Sequence, residues 1–166
     1  MSISSDDGLR RAILWMFGDL SQSDWSMLPY GVVFIIGGIG VSLSRAKALN
    51  ALMLGDDMSF SLGFSPMRER LILFASVSMM TAASVSMGGV IGFIGLLVPH
   101  IMRFLVGSNN LYLIPFSAFS GGMLLIIADS IGKTVISPTE LPSGIITALL
   151  GAPYFLYLLK RRDILS

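Results

Sequence analysis

Between Arg70 and Arg103 the chain reads LILFASVSMMTAASVSMGGVIGFIGLLVPHIM, residues 71–102, with no Asp, Glu, Lys or Arg. How often this stretch crosses a bilayer decides the fold. As one helix rising 1.5 Å per residue it would reach about 48 Å, well past a hydrocarbon core of about 30 Å. Gly88-Gly89 lies near its middle, where glycine's backbone freedom permits a tight reversal. The stretch therefore reads as two helices, near 71–87 and 91–106, joined by that turn. The second carries chemistry that membrane filler does not need: Gly92, Gly95, Pro99, His100 and Arg103.

The rest of the composition agrees with a membrane class. Hydrophobic residues are 54% and charged residues 13% of the 166, and mean hydropathy is +0.80, where a soluble domain carries about 25% charged residues. The length suits a single membrane domain over 1–166. Uncharged runs place further spans near 27–44, 113–129 and 143–159, so the expectation is an all-α integral membrane protein with five transmembrane helices. Eighteen glycines and eleven methionines suit helices packed closely in lipid. There is no cysteine, which excludes disulfides and thiolate metal sites. A net charge of +1 gives no reason to expect nucleic acid as a partner.

Basic residues set the orientation. Arg45, Lys47, Arg68 and Arg70 flank the loop after the first span, and Lys160, Arg161 and Arg162 close the last one; both clusters read as cytoplasmic. An even number of crossings must separate them, and splitting 71–102 supplies four. The C-terminus is then cytoplasmic and the N-terminus outside. The apolar run Leu9–Leu20 is too short to span and lacks the marks of a signal peptide. The expectation is the back half of a larger membrane protein, the alternative a small protein whose acidic N-terminus translocates unaided.

The loop over 45–66 is longer than a connection requires. Leu49, Leu52 and Met53 fall on one helical face, and Gly55 ends that turn. Asp56 and Asp57 can cap and charge a second short helix. Gly63 can close it, and Pro66 can open the next span. Two short helices joined at a glycine, lying on the inner membrane surface, are predicted. On physical grounds they are either an interfacial amphipathic hairpin with no partner or a docking element.

The order of these features resembles the C-terminal half of the iron-siderophore, haem and cobalamin importer permeases of bacterial ABC systems. The resemblance rests on Trp15-Met-Phe-Gly18, on Leu52-x-Leu-Gly55 through Leu62-Gly63, and on the run from Gly92 to Arg103. It continues through Leu113-Ile-Pro115, Ala128-Asp129, and Glu140-Leu-Pro142-x-Gly144 to Gly151-Ala-Pro153. It implies half of a ten-helix permease subunit, with a short helix before the first span, in the bacterial inner membrane. It implies that the loop helices are the coupling element for an ABC ATPase subunit, through Leu52, Leu54, Gly55, Asp56, Asp57, Phe60, Leu62 and Gly63. The family pattern often has Ala-Arg where this chain has Ser59-Phe60, which removes an electrostatic contact and leaves Phe60 to fill an apolar cleft. Lys133 occupies a position that meets a periplasmic or lipid-anchored substrate-binding protein; its other reading is a solvated loop lysine. A second permease subunit, as a homodimer in the lipid bilayer, completes the implied partners.

The remaining polar residues have local readings. His100 alone is a poor metal site, since zinc takes at least three protein ligands; structural hydrogen bonds are expected, with no bound metal and no cofactor. Arg103 reads as a snorkelling anchor. Asp129 is placed to pair with Lys133 one turn on. Gly144, Ala148 and Ala152 form a small-residue face suited to helix packing. No G-x-x-x-x-G-K-[ST] phosphate loop and no catalytic pair is present, so the chain is expected to be a non-enzymatic permease whose energy comes from a separate ATPase. Two other readings stand beside it. One is a truncated or small membrane protein without transport of its own. The other is a secondary transporter, against which the lack of an intramembrane acid counts.

Overall fold

The computed structural model describes residues 8–9, 12–13, 15–18, 20, 24–135 and 141–163. Among the described residues all regular structure is helical. Helical residues between Gly8 and Met16 precede α1 (Leu28–Ser44), α2 (Ala46–Leu52), α3 (Asp56–Ser61), α4 (Pro66–Gly88), α5 (Ile94–Val106), α6 (Asn110–Val135) and α7 (Ser143–Asp163).

The ends of α4 and α6 lie beyond the spans expected from the uncharged runs. A charge gap marks the apolar part of a helix, whereas the backbone stops only where a residue breaks it. Thus α4 opens at Pro66, with Arg68, Glu69 and Arg70 inside its first turns, because proline is pre-organised for a first turn and lacks only a donor that would be unpaired there. The reversal expected at Gly88-Gly89 occupies 89–93. Gly89 has φ +70° and Phe93 φ +66°, and the Ile94 N–H donates to the Gly92 carbonyl at 2.9 Å. That is a γ-turn of the rare, positive-φ kind. The turn consumes residues, so α5 begins at Ile94 where 91 was expected.

By length and composition α4 and α6 can each cross a membrane. A third candidate is the pair α1 and α2, bent by 59° at their junction. Ile94–Val106 and Ser143–Tyr157 are shorter apolar helices. The five expected spans therefore correspond to two full helices, one bent pair and two short ones. The thirteen residues of α5 reach only about 20 Å.

The chain forms two compact units. One comprises residues 1–24, 85–98 and 120–166, the other 25–84 and 99–119. In the first, the Gly18 carbonyl accepts from Ser143 Oγ at 2.9 Å and from the Gly144 N–H at 3.1 Å. A Cβ on Gly144 would overlap the Phe17 carbonyl, so only glycine lets α7 start there. Ala128, Pro142, Ser143 and Thr147 are also buried in this unit. In the second unit, Gly38 of α1 lies against Met80 of α4, and buried Ser76 donates to the Gly38 carbonyl at 3.1 Å. Small-residue contact with a side chain-to-carbonyl bond is how helices associate where lipid removes the hydrophobic drive. Phe74, Phe116, Phe119, Met123 and Ile126 leave α4 and α6 with broad exposed apolar faces.

Candidate functional site

The loop expected to form two short helices does so in the second unit. Gly55 separates α2 from α3 with φ +102° and ψ 166°, a region that side-chain-bearing residues avoid. Gly63, φ +86°, ends α3, and Leu62 and Gly63 donate to the carbonyls of Met58 and Phe60. The chain then reaches Pro66 within three residues.

The inner face of this element is made of small side chains. Ala46, Ala48, Ala51 and Ser59 are buried, Ser59 completely. Of the expected apolar face, Leu49 and Leu52 are half-buried and Met53 is exposed; the alanines are the residues of α2 that are buried. On the outer side Leu54, Met58, Phe60 and Leu62 are exposed, Phe60 by 73%. Asp56 and Asp57 stand beside them. Neither carboxylate caps α3, since Gly55 holds the N-cap position without a side-chain bond. Both sit in the first turn, where a negative charge meets the helix dipole favourably. A pocket of about 350 Å³ opens among Leu54, Gly55, Asp56, Asp57, Met58 and Ser61.

Three polar ties fix the element. Arg45 Nη1 donates to Glu69 Oε1 at 3.0 Å, with the Glu69 side chain 7% exposed. Arg70 grips Asp56 through two bonds of 2.6 and 2.9 Å. Asn50 of α2 bonds both Asn109 and Asn110 at the start of α6. In the sequence Arg45 and Arg70 read only as orientation signals, and the asparagines carry no assigned role. The visible signal was Asn109-Asn110 just ahead of an apolar run, a helix-start pattern.

The other expected residues are spread over both units. In the second, Pro99 and Arg103 line a cavity of about 390 Å³ with Leu49, Leu73 and Asn110, and His100 meets Phe104 edge-on at 5.1 Å between ring centroids. In the first, Gly151 receives the Phe93 side chain so closely that a Cβ would overlap it. Gly92 and Gly95 face open space, Pro142 and Gly144 are buried, and Pro153 is exposed within α7. Lys133 Nζ bonds Asp129 Oδ2 at 2.6 Å, four residues apart on α6. Glu140 lies outside the described residues. Among the described residues no group of three or more His, Cys, Asp or Glu could hold a metal ion.

All-helical described residues with apolar helices long enough to cross a membrane fit an integral membrane protein. The family model described as the FecCD transport family matches residues 1–161, and the chain belongs to that family. It is 40% identical over 160 residues to the hemin transport system permease protein HmuU of Yersinia pestis, covering 96% of this chain and 48% of that protein. It is 40% identical over 162 residues to the cobalamin import system permease protein BtuC of Halobacterium salinarum, covering 98% and 43%. It is 37% identical over 161 residues to the Fe(3+) dicitrate transport system permease protein FecD of Escherichia coli, covering 97% and 51%. Among solved structures, a metal-chelate type ABC transporter in an inward-facing conformation matches with a TM-score of 0.80 and 31% identity, over 92% of this chain and 49% of that one. The chain spans about half the length of the curated relatives it matches.

Proposed function

We propose that the chain supplies the coupling half of a permease subunit in an ATP-binding-cassette importer for an iron-siderophore or related metal chelate, haem and cobalamin included. The observation that carries this reading is the pair α2–α3. It is a hinged element, tied by ion pairs to the helix that follows, that holds Leu54, Met58, Phe60 and Leu62 out into solvent. Exposed apolar side chains beside two carboxylates suit a protein partner better than water. A lipid surface would disfavour Asp56 and Asp57.

In this mechanism an ATPase subunit receives Phe60 and Leu62, flanked by Leu52, Leu54, Asp56 and Asp57, while Gly55 and Gly63 set the angle of α3. ATP binding and hydrolysis move the docked element between two positions. The permease follows because each position favours a different arrangement of its helices. Lys133 contacts an acidic substrate-binding protein on the outer face by giving up part of its pairing with Asp129. A second permease subunit forms the other wall of the path. The C-terminus, with Lys160, Arg161 and Arg162, lies on the cytoplasmic side.

The test is co-purification of an affinity-tagged ATPase of the same importer with Gly55→Asp and Phe60→Asp variants. Loss of the ATPase is expected in both; undiminished recovery refutes the assignment. ATP-dependent uptake of haemin, ferric citrate and cyanocobalamin, compared side by side, identifies the chelate. Dependence on an ion gradient in place of ATP would point to a different class of transporter.

A further inference from the structure

The start of α6 is completed by a residue from another helix. The first N–H groups of a helix lack an intrahelical acceptor, and here those of Asn110, Leu111 and Tyr112 all find one, before Leu113 makes the first ordinary helix bond. The Asn110 N–H donates to Asn50 Oδ1 at 2.9 Å. The Leu111 N–H donates to Asn109 Oδ1 at 3.1 Å. The Tyr112 and Leu113 N–H groups both reach the Asn109 carbonyl, at 3.1 and 2.9 Å. Asn109 is thus the N-cap within its own helix, and Asn50 caps the first N–H from α2.

The carboxamide of Asn50 is used in both senses. Its oxygen also accepts from Asn110 Nδ2 at 2.8 Å, and its Nδ2 donates to Asn109 Oδ1 at 2.9 Å. Asn110 Nδ2 lies 3.5 Å from Met53 Sδ, which extends the contact toward Gly55. A carboxamide, with an acceptor oxygen on one side and a donor nitrogen on the other, suits this double role. The network bridges some sixty residues of chain. It joins the last turn of α2 to the first turn of a helix of 26 residues.

We propose that Asn50 is a positioning residue that makes α6 follow the α2–α3 element, so that a displacement of the docked element is delivered to α6. The proposal rests on the docking role stated above. The Arg45–Glu69 and Asp56–Arg70 ties join the element to α4, its neighbour in sequence, and the asparagine network is its tie to α6. When α2 moves, either Asn109 and Asn110 go with it or the first N–H of α6 loses its acceptor.

The natural absence of cysteine makes two measurements direct. In the first, spin labels at Met58→Cys and Tyr112→Cys, both exposed positions, report the distance between α3 and α6 in the purified chain. One narrow distribution is expected with Asn50 in place, and a broad one with Asn50→Ala. A distribution that stays narrow overturns the tie, whether or not any ATPase docks. In the second, Asn50→Cys/Asn110→Cys is introduced into the complete importer, assembled with its ATPase, and haemin, ferric citrate or cyanocobalamin moved per ATP hydrolysed is read before and after oxidation. The reduced form is expected to bind ATPase normally yet transport several-fold less per ATP, and disulfide formation restores the ratio. A folding role alone would not be switched by oxidation. Equal ratios in the two forms overturn the proposal. Recovery of the ATPase with Phe60→Asp would instead remove the docking reading, leaving the label distances to decide the tie.

Discussion

Removing Arg45 should cost far more than neutralising Glu69, although the two form one ion pair. Glu69 is the buried partner: its side chain is 7% exposed against 39% for Arg45, and Oε2 has no hydrogen-bond partner. Arg45→Ala leaves a carboxylate in a dry site with no cation. Breaking a fully buried pair in this way costs about 3–5 kcal/mol. Arg45 is more than one-third exposed, so water entering the vacated space relieves part of that, and about 2–3 kcal/mol remains. Glu69→Gln removes the buried charge, keeps an oxygen to accept from Arg45, and leaves an arginine that can turn to water. Its cost is about 1 kcal/mol, one charge-assisted bond weakened to an ordinary one. Arg45→Met/Glu69→Leu, which replaces both members by apolar groups of similar size, should come out close to wild type. The assay is thermal and SDS-driven unfolding of the purified protein followed by circular dichroism. Equal losses for Arg45→Ala and Glu69→Gln would refute the reasoning, because they would mean that the pair contributes as a symmetric surface bridge.

Three further outcomes follow from the same geometry. Gly55→Ala meets no atom within 4 Å, yet its φ of +102° should cost about 1–3 kcal/mol of strain and weaken ATPase co-purification; an unchanged melting temperature would contradict this. Gly144→Ala gains at most about 1 kcal/mol of helix propensity but drives a Cβ into the Phe17 carbonyl. A net loss of about 1–3 kcal/mol is expected by the same unfolding assay. Arg70→Ala opens a pair whose members are 47% and 53% exposed, so the loss should stay below about 1 kcal/mol and shrink in high salt, in contrast to Arg45→Ala.

The helical membrane class, the reversal near Gly88-Gly89 and the two-helix loop were legible in the residues alone. Each depends on a local property: hydropathy along a continuous run, glycine conformation, the rigidity of Pro66. Residues near Gly55, Asp56 and Pro66 constrain one another over a few peptide units, so a short window of sequence suffices to place the hinge. The fate of individual polar groups was not legible. Nothing in the neighbourhood of Arg45 says that its acid is Glu69, or that Asn50 will cap a helix beginning at Asn110. The same holds for the burial of Ala46, Ala48 and Ala51. Which face a short helix buries depends on how near its neighbours come, and those neighbours are remote in the chain. Helix type and hinge position are short-range consequences of backbone sterics and hydropathy. Pairing, burial and capping in trans are settled only when distant segments meet, because an unpaired polar group in a dry interior must find whichever partner the packing brings within hydrogen-bond reach.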